Sequence, residues 1–197
     1  MAERITSRTN PLMTHIRKLS ASRSYREKAG EYLGDGVKLL EEAVRWGADL
    51  TCVVFTPGTA LPAIPAGVRL VEIPRDVMAS VSPMETPQGA LFLARRPDTA
   101  LPEVLSGRRY LALEGVQDPG NVGTILRSAD AFEADGLILL PGCADPYGPK
   151  TVRASMGAVF RRPVWTCALG ELLPRLREAD LPLWGAALRE DTADARA

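Results

Sequence analysis

The sequence predicts an α/β protein. A small N-terminal αβ domain covers residues 1–100, and a parallel-sheet α/β domain covers residues 107–197. Three observations lead there. Short apolar runs of strand length recur, and segments of helical period separate most of them. Residues 110–157 form two successive strand–loop–helix units with polar and basic loops, the pattern of parallel βα corners that hold ligands at the strand C-termini. Between the halves, Pro97, Pro102 and Gly107 mark a linker.

Taken in order, Asn10 to Gly30 reads as helix, with Ile16, Leu19 and Tyr25 among basic residues. Val37, Leu40, Ala43 and Val44 recur at helical spacing, and Gly47 is a terminator. Leu50 to Phe55 is a strand closed by Thr56-Pro57-Gly58, and the Pro- and Ala-rich stretch from Thr59 to Gly67 is loop. Val68 to Ile73 is a strand, Arg75 to Val81 a short helix and Gly89 to Ala94 a third strand. Past the linker, strands are expected at Tyr110–Leu113, Gly136–Leu140 and Val164–Cys167. Helices are expected after Asp118, from Lys150 to Gly157 and from Gly170 to Ala179. Leu181 to Leu188 is a further apolar run expected to form a strand, and the polar residues after it show no packing pattern.

Composition narrows the function. The formal net charge is zero, so any contact with nucleic acid must come from local patches. One such patch is the N-terminal Arg4, Arg8, Arg17, Lys18, Arg23, Arg26 and Lys28 set against Glu3 and Glu27, although a solvated helix face would read the same way. Three scattered cysteines and the single His15 offer no zinc pattern, so no metal is expected; isolated thiols fit a reducing cytoplasm. Neither a membrane span nor a signal peptide is apparent, and no membrane partner is expected.

The candidate site residues lie at the two βα corners. Asn121 follows a Pro-Gly pair and could cap a helix or serve a site through its amide. Arg127 offers a planar fork suited to phosphate, with a surface salt bridge as the alternative. Lys150 and Arg153 stand at a helix start, where the dipole disfavours cations, so either a polyanion lies opposite or Asp145 or a nearby Glu pairs with them. Asp118 is expected to cap its own turn, and Ser155 and Gly157 to serve helix packing.

Two long motifs give these residues a family. Asp118-Pro119-Gly120-Asn121-Val122-Gly123, followed by Ile125-x-Arg127 and Ala129-x-Ala131-Phe132, is the first. Gly142-Cys143-Ala144-Asp145-Pro146, followed by Lys150-x-x-Arg153-Ala154-Ser155-Met156-Gly157-Ala158, is the second. Together they resemble the signature of the SpoU (TrmH-like) RNA ribose 2′-O-methyltransferases of the SPOUT superfamily. More weakly, Glu31 to Ala43 and Ser82 to Gly89 resemble that family's substrate-binding domain.

The resemblance implies methyl transfer from S-adenosylmethionine to RNA, ribosomal more than transfer RNA, by a homodimer. It makes Asn121 and Arg127 catalytic, and it favours RNA contacts by Lys150 and Arg153 alongside the N-terminal Arg17, Lys18 and Arg23. Family members continue with a Gly-x-Glu loop and a Ser-Leu-Asn run that complete a trefoil knot. Against that pattern this sequence is expected to be truncated, unknotted and inactive, with Ala187 and Leu188 at one edge of an incomplete cofactor pocket. The other readings are a noncatalytic RNA-binding module and a doubly wound nucleotide-binding protein. The latter lacks a Gly-x-Gly-x-x-Gly or phosphate-loop motif.

Overall fold

A computed structural model describes residues 2–186. Two sheets organise it. The first has five strands, β1 (Glu3–Arg4), β2 (Glu31–Asp35), β3 (Leu50–Phe55), β4 (Arg69–Glu72) and β5 (Ala90–Arg95), in the order β1-β4-β3-β5-β2. The second holds β6 (Tyr110–Leu113), β7 (Gly136–Leu139) and β8 (Val164–Thr166), side by side and parallel. Helices α1 (Pro11–Ala21), α2 (Arg23–Ala29), α3 (Val37–Arg45) and α4 (Arg75–Ala79) belong to the first sheet. Helices α5 (Pro119–Ala131), α6 (Pro149–Ala154) and α7 (Leu169–Glu178) follow the strands of the second.

The first sheet holds strands the sequence pattern did not announce. β2 reads Glu-Tyr-Leu-Gly-Asp, with charges at both ends and a glycine inside, which hides a strand period. The glycine has a packing cause: a Cβ on Gly34 would sit 2.1 Å from Cζ of the fully buried Phe92 on β5. Asp35, at the end of β2, is nearly buried and accepts a 2.6 Å hydrogen bond from Ser82 Oγ.

The single helix expected over Asn10–Gly30 is two helices. Ser22 adopts an extended conformation, closes α1 by donating its N–H to Lys18, and opens α2 by accepting from Tyr25 N–H at 3.2 Å. A serine hydroxyl competes for backbone groups and favours such a junction over a continuous helix. Residues Leu181 to Ala186 form no strand, contrary to the sequence expectation for Leu181–Leu188, and Ala187 and Leu188 lie outside the described residues.

The two sheets share one apolar core. Leu40, Val53 and Phe92 of the first half pack in the same buried cluster as Val122, Leu126 and Val152 of the second. The linker contributes as well: Thr166 N–H on β8 donates to the Thr99 carbonyl at 2.7 Å. Among the described residues no helix is long and apolar enough to cross a membrane.

Candidate functional site

The candidate residues of the two motifs lie along a rim at the C-terminal ends of β6 and β7, where α5 and α6 begin. Asp118 is the N-cap of α5, accepting from Asn121 N–H at 3.0 Å, and Pro119 fills the first helical position, where its missing N–H costs nothing. Asn121 is therefore not the cap. It lies inside the first turn, with its side chain exposed. Lys150 Nζ, in the first turn of α6, reaches across to Asp118 Oδ2 at 2.7 Å. Of the alternatives for Lys150, neither Asp145 nor a Glu is the partner; Asp145 is occupied by Arg26. The Lys150 bond first, then the Asn121 N–H, hold the Asp118 carboxyl below the usual range.

Close helix contact sets this geometry. A Cβ on Gly123 would lie 2.6 Å from both Ala154 Cβ and the Thr151 carbonyl oxygen, so α5 and α6 approach at a distance only glycine permits. Ser155 is fully buried beside them and donates to the Val152 carbonyl at 2.7 Å, a packing role as expected. Gly157 adopts φ of 87°, and a Cβ there would meet the Glu42 and Arg161 side chains.

Arg127 is exposed, six residues beyond Asn121 on α5. That spacing puts the two about 120° apart around the helix and about 9 Å apart along it. Exposed Thr124 lies between them, while Val122, Gly123, Leu126 and Ala129 face the core, so both candidates occupy one solvent-facing arc. Among the described residues Arg127 takes part in no ion pair; the nearby carboxylates Asp118 and Asp130 pair instead with Lys150 and with Arg161 and Arg162.

Arg153, one turn after Lys150, is also exposed and contacts Met84 Sδ in the loop of the first domain. That loop is tied to Asp35 through Ser82, so the two short motifs of the first domain meet beside α6. Burial pushes the Asp35 carboxyl above its usual value, against the opposing Ser82 bond and the Arg153 charge. The fold therefore favours the protonated form. Its contribution is complete below the unfolded pKa of about 3.9 and is lost as pH rises through the higher folded value. Asp35→Asn, which keeps an acceptor for Ser82, is expected to raise the melting temperature at pH 7 and leave it unchanged at pH 3. Thermal melts at the two pH values check this.

The N-terminal candidates are dispersed. Arg17 donates to the Arg8 carbonyl at 2.7 Å, Lys18 sits 5.5 Å from the Tyr25 ring centroid, and Arg23 pairs with Glu27 at 2.9 Å. Only Arg23 comes near the rim: it lines a cavity of about 290 Å³ together with Gly142, Cys143, Pro146 and Cys167. Arg26, counted in sequence only as part of a basic run, is buried and bonds Asp145. Beside β6 runs an open trough of about 770 Å³ from Arg108 to Glu114, walled by Leu140, Leu172 and Leu183 among others. Among the described residues no group of three or more acidic, Cys or His side chains could hold a metal.

The architecture matches that of solved rRNA methyltransferases. The S-adenosylmethionine-bound rRNA methyltransferase from Sinorhizobium meliloti superposes with a TM-score of 0.78 at 29% identity, over 90% of this chain and 69% of that one. Residues 108–196 match the SpoU rRNA Methylase family, and residues 10–91 match the MRM3-like substrate binding domain. The second half of the chain, residues 108–196, thus belongs to the SpoU rRNA methylase family. Among relatives, it is 29% identical to the Bacillus subtilis 23S rRNA (guanosine(2553)-2′-O)-methyltransferase RlmP, over 95% of this chain and 74% of that protein. It is 32% identical to human mitochondrial rRNA methyltransferase 3, over 88% of this chain but only 44% of that protein's length. SpoU methyltransferases use S-adenosylmethionine, and RNA is the partner that the relatives and the substrate-binding domain indicate.

Proposed function

We propose that the protein takes part in methylating a ribose 2′-oxygen of ribosomal RNA. The observation that carries this reading is the rim itself. Asn121 and Lys150 lie in the first turns of α5 and α6, Arg153 follows one turn along α6, and Arg127 stands on the solvent-facing arc of α5 with no ion pair among the described residues.

S-adenosylmethionine supplies an activated methyl group on a cationic sulfur. The described residues do not enclose it. The trough beside β6 extends along the whole strand and offers a single carboxylate, Glu114, at its C-terminal end. The chain's own residues bind and orient RNA. A guanidinium stays charged in proteins, so Arg127 acts electrostatically: it grips the phosphate beside the target ribose and offsets negative charge as it develops on the 2′-oxygen. The Asn121 amide can both donate to and accept from ribose hydroxyls. Lys150 is partly neutralised by Asp118, which leaves Arg127 and Arg153 as the stronger phosphate ligands of the rim.

The protein, given methyl-labelled S-adenosylmethionine and ribosomal RNA, is expected to leave label on a ribose, where it blocks alkaline cleavage of the next phosphodiester. Label on a base, or none, overturns the reading. Replacing Arg127 with Ala is expected to slow single-turnover transfer by about 10- to 100-fold, the worth of one charge-assisted hydrogen bond.

A further inference from the structure

Arg26 is a charge in an unexpected place. It belongs to a basic, exposed helix, yet only 5% of it is accessible. Its Nε donates to Asp145 Oδ2 at 2.8 Å, its Nη2 lies 2.6 Å from the same oxygen, and its Nη1 donates to the Leu19 carbonyl at 2.6 Å. Asp145 uses its other oxygen to accept the Tyr147 N–H at 3.0 Å, and its carbonyl to accept Thr151 Oγ1 at 2.8 Å. One ion pair thus joins the α1–α2 junction of the first domain to the turn that launches α6 in the second. Tyr32 and Tyr147 stack across the same seam with centroids 5.1 Å apart.

Stability is a weak reason for such a pair. The desolvation cost of two buried charges roughly cancels their attraction, and apolar replacements are often neutral or better. Direction is what the pair adds. Arg23 lies one helical turn before Arg26 and lines the cavity at the ends of β7 and β8, next to the loop that leads to Lys150 and Arg153. We infer that Arg26 and Asp145 are positioning residues that hold Arg23 at a fixed offset from Lys150 and Arg153, so that both domains grip one RNA strand together. This rests on the RNA reading given above.

The test is a double variant, Arg26→Met with Asp145→Asn. It removes both charges, and the asparagine keeps an oxygen for the Tyr147 N–H. Fluorescence anisotropy with a labelled ribosomal RNA hairpin is followed across about 50 to 200 mM salt. The variant is expected to melt only slightly below the wild type, since the Leu19 carbonyl loses its donor while no charge is stranded. Its RNA affinity should fall about tenfold as the joint grip is lost, and its salt slope should decrease by about one phosphate contact. Arg23→Ala should weaken binding in the wild type and not in the double variant. Unchanged affinity and slope in a folded double variant would show that the pair does not position anything. A wild type without salt-dependent RNA binding would instead overturn the RNA reading itself. If the double variant fails to fold, Arg26→Lys, which keeps the charge but loses the fork, carries the same comparison.

Discussion

Replacing Arg26 alone with Ala is expected to lower the unfolding free energy by about 3–5 kcal/mol, the cost of stranding one member of a buried ion pair. The carboxylate left behind has little recourse to water, since the Asp145 side chain is only 8% exposed. Two neighbouring cations are already engaged: Lys150 is held by Asp118, and the Arg96 guanidinium sits over the Tyr147 ring at 5.5 Å. Urea unfolding of the variant beside the wild type at pH 7 measures the difference. The contrast with the double variant is the point. Removing one charge should be severe, and removing both should be mild, which separates what the pair costs when broken from what it contributes when intact.

Arg26 also shows where sequence reasoning ran short. In the chain it is one of seven cations near the N-terminus, and no local feature sets it apart from Arg23 or Lys28. Its partner lies 119 residues away. What was legible was local. β3 and β6 appear as continuous apolar runs, and their bounds coincide with the structure. Asp118 and Asn121 are both cap-forming residue types, and only the fold shows that Asp118 caps α5 while Asn121 lies inside its first turn. β2 was hidden by Gly34, whose cause, the Phe92 ring, is supplied by a strand far along the chain. Residue chemistry therefore nominated polar groups at these βα corners, and tertiary contact decided which of them are already engaged.

The same distinction bears on the glycine of the first motif. Gly123→Leu is expected to destabilise the fold by at least about 3 kcal/mol, and Gly123→Ala by about 1–3 kcal/mol. Helix propensity argues the other way, since Ala is favoured over Gly inside a helix by about 0.5–1 kcal/mol. The clash should win because of what stands opposite. The Thr151 carbonyl oxygen at 2.6 Å and the Ser155 nitrogen at 3.0 Å from a Cβ at Gly123 are backbone atoms of the α6 region and cannot rotate away. Relief requires moving α6 itself, and α6 carries Lys150 and Arg153. Even the milder Ala variant should therefore weaken RNA binding beyond its effect on folding, by displacing Arg153 on α6 relative to Arg127 on α5. Gly170→Ala is the matched control: it lies in α7 with open space around the new Cβ, and it should raise stability slightly. Thermal melts of the three variants, with RNA titrations at a temperature where all are folded, separate the two effects. If Gly123→Ala behaves like Gly170→Ala, the contact between α5 and α6 is looser than its geometry indicates, and the glycine must owe its place in the motif to something other than packing.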